Sequence, residues 1–162
     1  MSQCRKSKPN KNNKVYLSDL KSGNINEDKV FNWLNQNIYK EEPLEKSPDK
    51  YSVFDFVSKE VIIELKSRNV DYRSFRSTMI GLNKIKYANK LLEDLSESVL
   101  TRPQVLFLFL FKDGLYQWEL NNNQYYTKMS GRKDRGAVEQ QEYAYISIDN
   151  LTLITDKLSS II

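Results

Sequence analysis

The chain has 162 residues, 40% hydrophobic and 28% charged, which suits one soluble domain with its own core. It has no histidine and a single cysteine, Cys4, which excludes histidine triads, histidine–zinc enzyme sites, thiolate zinc clusters and a disulfide framework. The net charge of +4 is concentrated in Arg5, Lys6, Lys8, Lys11 and Lys14; taking those five from 25 basic groups leaves 20 against 21 acids.

Residues 1–14 therefore read as a disordered basic tail and 15–162 as a single domain. Such a tail either meets phosphates or simply keeps a terminus solvated. The sequence shows no apolar leader and no run of membrane-span length, so a soluble intracellular protein with no membrane contact is expected. Cytoplasm and host nucleus are not distinguished.

The first element in chain order is a helix over about Asn26 to Ile38. Val30, Phe31, Leu34 and Ile38 form its apolar face, with Asn24 or Asn26 as cap and Glu27 and Asp28 in its first turn. KEEPLEKSPDK is a polar connector. YSVFDFV (51–57) and VIIELKS (61–67) alternate as strands around the short loop Ser58-Lys59-Glu60, which makes a hairpin. A long helix is expected over Tyr72 to Leu95, with Met79, Leu82, Ile85, Leu91, Leu92 and Leu95 in its stripe and a weak point at Gly81. VLFLFLF (105–111) is apolar on both faces, as a central covered strand should be. Strands LYQWEL, QYYTKM and YAYISI follow, separated by turns and by a polar loop holding Arg132, Lys133 and Arg135. A short terminal helix capped by Asp149 is expected in DNLTLITDKL. The whole is a mixed α/β layout around one sheet.

The chemistry gathers at the hairpin. Side chains alternate along a strand, so Glu64 and Lys66 share a face, as do Val53, Asp55 and Val57 on the partner. The hairpin register decides whether these two faces coincide, and sequence does not fix it. Should Asp55, Glu64 and Lys66 converge, two carboxylates need a cation between them. With no histidine or cysteine cluster, that cation is a hard one: magnesium, with manganese as substitute. A metal on two acids, beside an ammonium that orients water and offsets negative charge, suits phosphodiester hydrolysis. Glu27, at the edge of the first helix's buried face, either adds an outer carboxylate or is ordinary first-turn charge.

Asp55, followed by Glu64-Leu65-Lys66 on the next strand, resembles the PD-(D/E)XK or restriction-endonuclease-like superfamily. The resemblance covers roughly residues 24–111. It implies a core of helix, three-stranded meander, helix and strand: a central mixed β-sheet flanked by helices. It implies a metal held by Asp55, Glu64 and the backbone carbonyl of Leu65, with Lys66 assisting the water and Glu27 matching a glutamate found in many members. Arg68, Arg73 and Arg76 would line the DNA side. Asn83 to Tyr87 has the spacing of the Gln-x-x-x-Tyr motif of RecB-type nucleases with Asn in place of Gln, and Lys84 and Lys86 there would touch the DNA backbone. Arg132, Lys133 and Arg135 either clamp a duplex or form a solvated turn. The sequence departs from the family pattern in having Phe54, not proline, before Asp55; the literal Pro48-Asp49 competes as the first acid.

The expected function is a magnesium-dependent endonuclease acting on DNA, duplex or branched, in repair, recombination or genome processing. A catalytically inactive DNA-binding or assembly module on the same fold is the alternative. A homodimer is attractive for cutting two strands. Abundant Lys, Asn and Ile point to an AT-rich genome such as that of a virus or phage.

Overall fold

A computed structural model of the chain describes residues 14–47, 52–95, 102–131 and 141–161, with backbone alone for 14–20. Helix α1 spans Lys14–Asn37 and is followed by the short strands β1 (Glu45–Lys46) and β2 (Phe56–Val57), then β3 (Val61–Ser67). Next come β4 (Ser77–Gly81), helix α2 (Leu82–Leu95), β5 (Gln104–Phe111) and β6 (Gly114–Glu119). The chain closes with β7 (Tyr125–Ser130), β8 (Gln141–Ser147) and β9 (Thr152–Thr155).

Among the described residues two sheets form rather than one. The larger has the order β1-β2-β3-β5-β6-β9, the smaller β4-β8-β7. All pairs are antiparallel except β3 with β5, whose register sets Glu64 beside Phe107 and Lys66 beside Phe109. The fold is thus α/β with a mixed central sheet, and β1-β2-β3 is the expected antiparallel meander.

The central strands explain themselves by alternation. Val61, Ile63 and Leu65 of β3 and Leu106, Leu108 and Leu110 of β5 face one layer, where Val30 and Leu34 of α1 complete a buried core. Ile62 and the phenylalanines 107, 109 and 111 face the other, where Ile85 and Ala88 of α2 pack. Each such side chain contributes about 1.5–3 kcal/mol by leaving water. The inner face of the small sheet, Ile80, Ala144 and Ile146, joins the α2 core.

Four expectations need correction. The first helix starts at Lys14, not near Asn26; Asn24 and Asn26, the two expected caps, lie inside it. The first strand of the hairpin is only Phe56–Val57. The long helix over 72–95 is a strand and then a helix: Ser77–Gly81 pairs with β8, and α2 begins at Leu82. Gly81 marks the change of structure, and a Cβ there would lie 2.5 Å from Asn83 Oδ1. The terminal helix is replaced by a 3-10 turn at Ile148–Asn150 and strand β9, which adds to β6 as an edge. Asp149 is not a cap; its own N–H donates to Ser147 Oγ at 3.3 Å. Most of the basic tail, Asp49, and Arg132, Lys133 and Arg135 lie outside the described residues.

Candidate active site

The loop between β2 and β3 closes tightly. Ser58 N–H donates to the Val61 carbonyl at 2.8 Å, and Ser58 Oγ accepts from the N–H groups of Glu60 and Val61. This fixes the register left open by the sequence: Phe56 faces Ile63 and Val57 faces Ile62. The regular ladder ends at Phe56: the Asp55 N–H donates to the Ile63 carbonyl at 2.9 Å, which sets Asp55 against the backbone just before Glu64. Glu64 and Lys66 share the face of β3 that α2 covers, and Asp55 bonds to the backbone on either side of Glu64. The Leu65 N–H donates to Asp55 Oδ2 at 2.8 Å and orients that carboxylate.

Glu64 is fully buried. A carboxylate without water is costly unless countercharges replace it. Here two ammonium groups do so. Lys66 Nζ lies 2.6 Å and Lys84 Nζ 2.9 Å from the same oxygen, Glu64 Oε1. Lys84 also donates to the Val53 carbonyl, which anchors its head from the side opposite α2's backbone. Lys66 remains 28% exposed at the side chain while Lys84 is nearly sealed. Asp55 and Glu64 against Lys66 and Lys84 give a site whose formal charges cancel.

Lys84 is thus a correction as well as a finding. It does not present its charge at the surface to a DNA backbone; it points inward at Glu64. Its signal was present in the sequence: Lys84 lies beside Ile85 and four residues before Ala88, on the apolar stripe of α2, where a lysine needs an acidic partner. Tyr87 of the partial motif packs on Phe54 with ring centroids 6.0 Å apart, while Asn83 and Lys86 are exposed.

The expected DNA-facing arginines separate into two kinds. Arg68 is absorbed by the fold: Nε donates to Thr78 Oγ1 at 3.2 Å, Nη2 donates to the Met79 carbonyl, and the guanidinium lies 5.7 Å from the Phe109 ring centre. It ties β4 to the end of β3. Arg73 and Arg76 are exposed, Arg73 lying 5.5 Å over the ring of Tyr72. Tyr72 in turn pins this segment, its hydroxyl donating to the Ile148 carbonyl at 2.6 Å.

Glu27 is half-buried on α1, whose core residues pack on the sheet face opposite Glu64. Its neighbour Asn26 donates to Ser67 Oγ at 3.2 Å, so this turn of α1 lies at the C-terminal end of β3. Among the described residues no three acidic, histidine or cysteine side chains converge on one point, so Glu27 does not join Asp55 and Glu64 in a three-acid cluster. The two carboxylates still suit a hard divalent ion, since magnesium uses one or two carboxylates and keeps several waters. Among the described residues no helix is long and apolar enough to cross a membrane.

Residues 19–153 match the model of the family described as "Phage putative PDDEXK endonuclease". No curated protein matches the chain.

Proposed function

The chain belongs to this phage PD-(D/E)XK endonuclease family, and on that premise we propose that it is a magnesium-dependent nuclease hydrolysing DNA phosphodiester bonds. The observation that supports this best is the fully buried Glu64 held by Lys66 and Lys84, with Asp55 bonded to the backbone on either side of it. Asp55 and Glu64 would hold the ion, with the Leu65 carbonyl as a third oxygen. The ion, when bound, supplies a Lewis-acid charge on a phosphoryl oxygen and an acidified water.

The remaining work falls to the chain's own groups. The ammonium of Lys66, the more exposed of the pair, orients the attacking water and offsets negative charge as it grows on the phosphate. Lys84 holds Glu64 in place without reaching solvent. The Leu65 N–H holds Asp55 in its rotamer. Arg73, Arg76 and Lys86 are exposed cations available to phosphates along the substrate. Glu27 would act from the edge of the site, on outer waters rather than on the metal itself.

Glu64→Ala would leave the Lys84 ammonium buried without its carboxylate, so a lost activity there would report folding as much as chemistry. The better test pairs Glu64→Gln with Lys66→Met, checks both by thermal denaturation, and assays magnesium-dependent cleavage of single-stranded, duplex and branched DNA. Cleavage by wild type, lost in both folded variants and in EDTA, is the expected result. Full activity in both folded variants would remove the assignment.

One observation favours a second reading. The four charges of the site cancel without any cation, which is compatible with a nuclease-fold DNA-binding or assembly module that does not cut. Metal-independent DNA binding with no cleavage of any substrate form would select it.

A further inference from the structure

The small sheet carries a face with a different chemistry. Its inner side is sealed into the core by Thr78, Ile80, Ala144 and Ile146. Its register then turns Met79, Tyr145 and Tyr126 outward in one row. The rings of Tyr126 and Tyr145 are stacked, with centroids 5.2 Å apart and planes 10° from parallel. A cross-strand pair that served only the core would be covered, yet Tyr126 is 60% exposed.

At the end of this row lies an open groove of about 520 Å³, lined by both rings, Arg76 and the side-chain amides Asn123, Gln124 and Asn150. Among the described residues Arg76 is the only charged one lining it. Two residues along β7 from Tyr126, on the same face, Lys128 is exposed. Phe75, beside Arg76, is 66% exposed. Flat rings, amides and two cations, with no acid among the described lining residues, match a ligand having aromatic faces, polar edges and negative charge.

We infer that this face binds an unpaired stretch of the substrate strand, with one base on the Tyr126–Tyr145 stack, its edge toward the amides, and the adjoining phosphates near Arg76 and Lys128. Stacked rings and amides take bases from a single strand, whereas a closed duplex hides both base faces and pairing edges. The groove volume is in the range of small-ligand sites. Arg68, two residues beyond Lys66, bonds to Thr78 and Met79 of β4 and so carries the small sheet alongside the Lys66 end of β3. The inference rests on the nuclease reading for its ligand class and narrows that class to DNA with a single-stranded, flapped or branched segment.

The test is fluorescence anisotropy in EDTA at low salt. It compares a labelled thymidine oligonucleotide of about 15 residues with a closed hairpin duplex, using wild type, Tyr126→Ala, Tyr126→Phe and Arg76→Ala. Wild type should prefer the single strand. Tyr126→Ala should weaken single-strand binding about tenfold and leave duplex binding unchanged, Tyr126→Phe should restore it, and Arg76→Ala should weaken it with a shallower salt dependence. Single-strand affinity unchanged in both alanine variants overturns the inference, as does equal loss for single strand and duplex. Self-association in sedimentation that disappears in Tyr126→Ala, with oligonucleotide affinity intact, also overturns it by making the face a contact between copies. A parallel magnesium cleavage assay separates the two ideas. Tyr126-dependent binding without any cleavage sinks the nuclease reading and keeps this face; cleavage with Tyr126-independent binding does the reverse.

Discussion

The two faces of β3 are made from adjacent residues and do opposite work. Val61, Ile63 and Leu65 enter the α1 layer, where no charged side chain is buried among the described residues. Ile62, Glu64 and Lys66 face the α2 layer, where a carboxylate and an ammonium from α2 sit inside the protein. The first face stabilises by removing apolar area from water; the second spends part of that gain on desolvating charge. A buried pair of this kind is seldom a net stabiliser, because an apolar replacement of both partners is often neutral or better. Stability does not explain such a pair inside an otherwise phenylalanine-rich layer, which is why the proposed site is placed on that side.

The largest effect that tests this contrast is chemical. In the α2 layer, Lys66→Met should lower cleavage by about 10²–10³-fold with the melting temperature little changed, since Lys66 keeps partial exposure. A normal rate would mean that the two faces do not differ in chemistry. Next is stability. Glu64→Ala should cost about 3–5 kcal/mol by stranding Lys84, while the double variant Glu64→Leu/Lys84→Met should recover most of it in a denaturant cycle. Additive losses would show that the two groups are not coupled. In the α1 layer, Ile63→Ala should cost a similar or smaller amount, about 2–4 kcal/mol from the lost side chain and the cavity, yet leave the rate per folded molecule intact. The smallest effect lies farthest from the site. Gly23 is inside α1 with nothing within 4 Å of the place its Cβ would take, so Gly23→Ala should stabilise by about 0.5–1 kcal/mol in thermal or urea unfolding.

The sequence made some of this legible because some of it is local. The period of two in VIIELKS and the short loop at Ser58 gave the hairpin, and VLFLFLF gave the covered strand. What failed was either mimicry or distance. Met79, Leu82 and Ile85 keep helical spacing across the boundary at Gly81, so a five-residue strand resembled the start of α2. Thr152–Thr155 is a four-residue edge strand with no repeat long enough to see, and Asp149 before it looked like a cap. Gly23 and Asn24 have low helix propensity, and α1 overrides them. The Lys84–Glu64 pair joins residues on separate elements, and only packing of α2 on the sheet reveals it. Sequence leaves the hairpin register open; the Ser58 loop and the Phe56–Ile63 pair set it, and the bonds of Asp55 to Ile63 and Leu65 bring that residue beside Glu64.

The parallel pairing of β3 with β5 has a kinetic side. Residues 68–103, including β4 and α2, must be threaded through a crossover before these two strands can meet. Closing so long a connection costs chain entropy before any contact repays it, so this pairing belongs to the slow part of folding. Glu64 receives its neighbour Phe107 and its buried partner Lys84 only when that crossover has formed. A chain in which that crossover is still open holds Glu64 and Lys84 in water as ordinary charges, and the buried pair forms together with the parallel sheet.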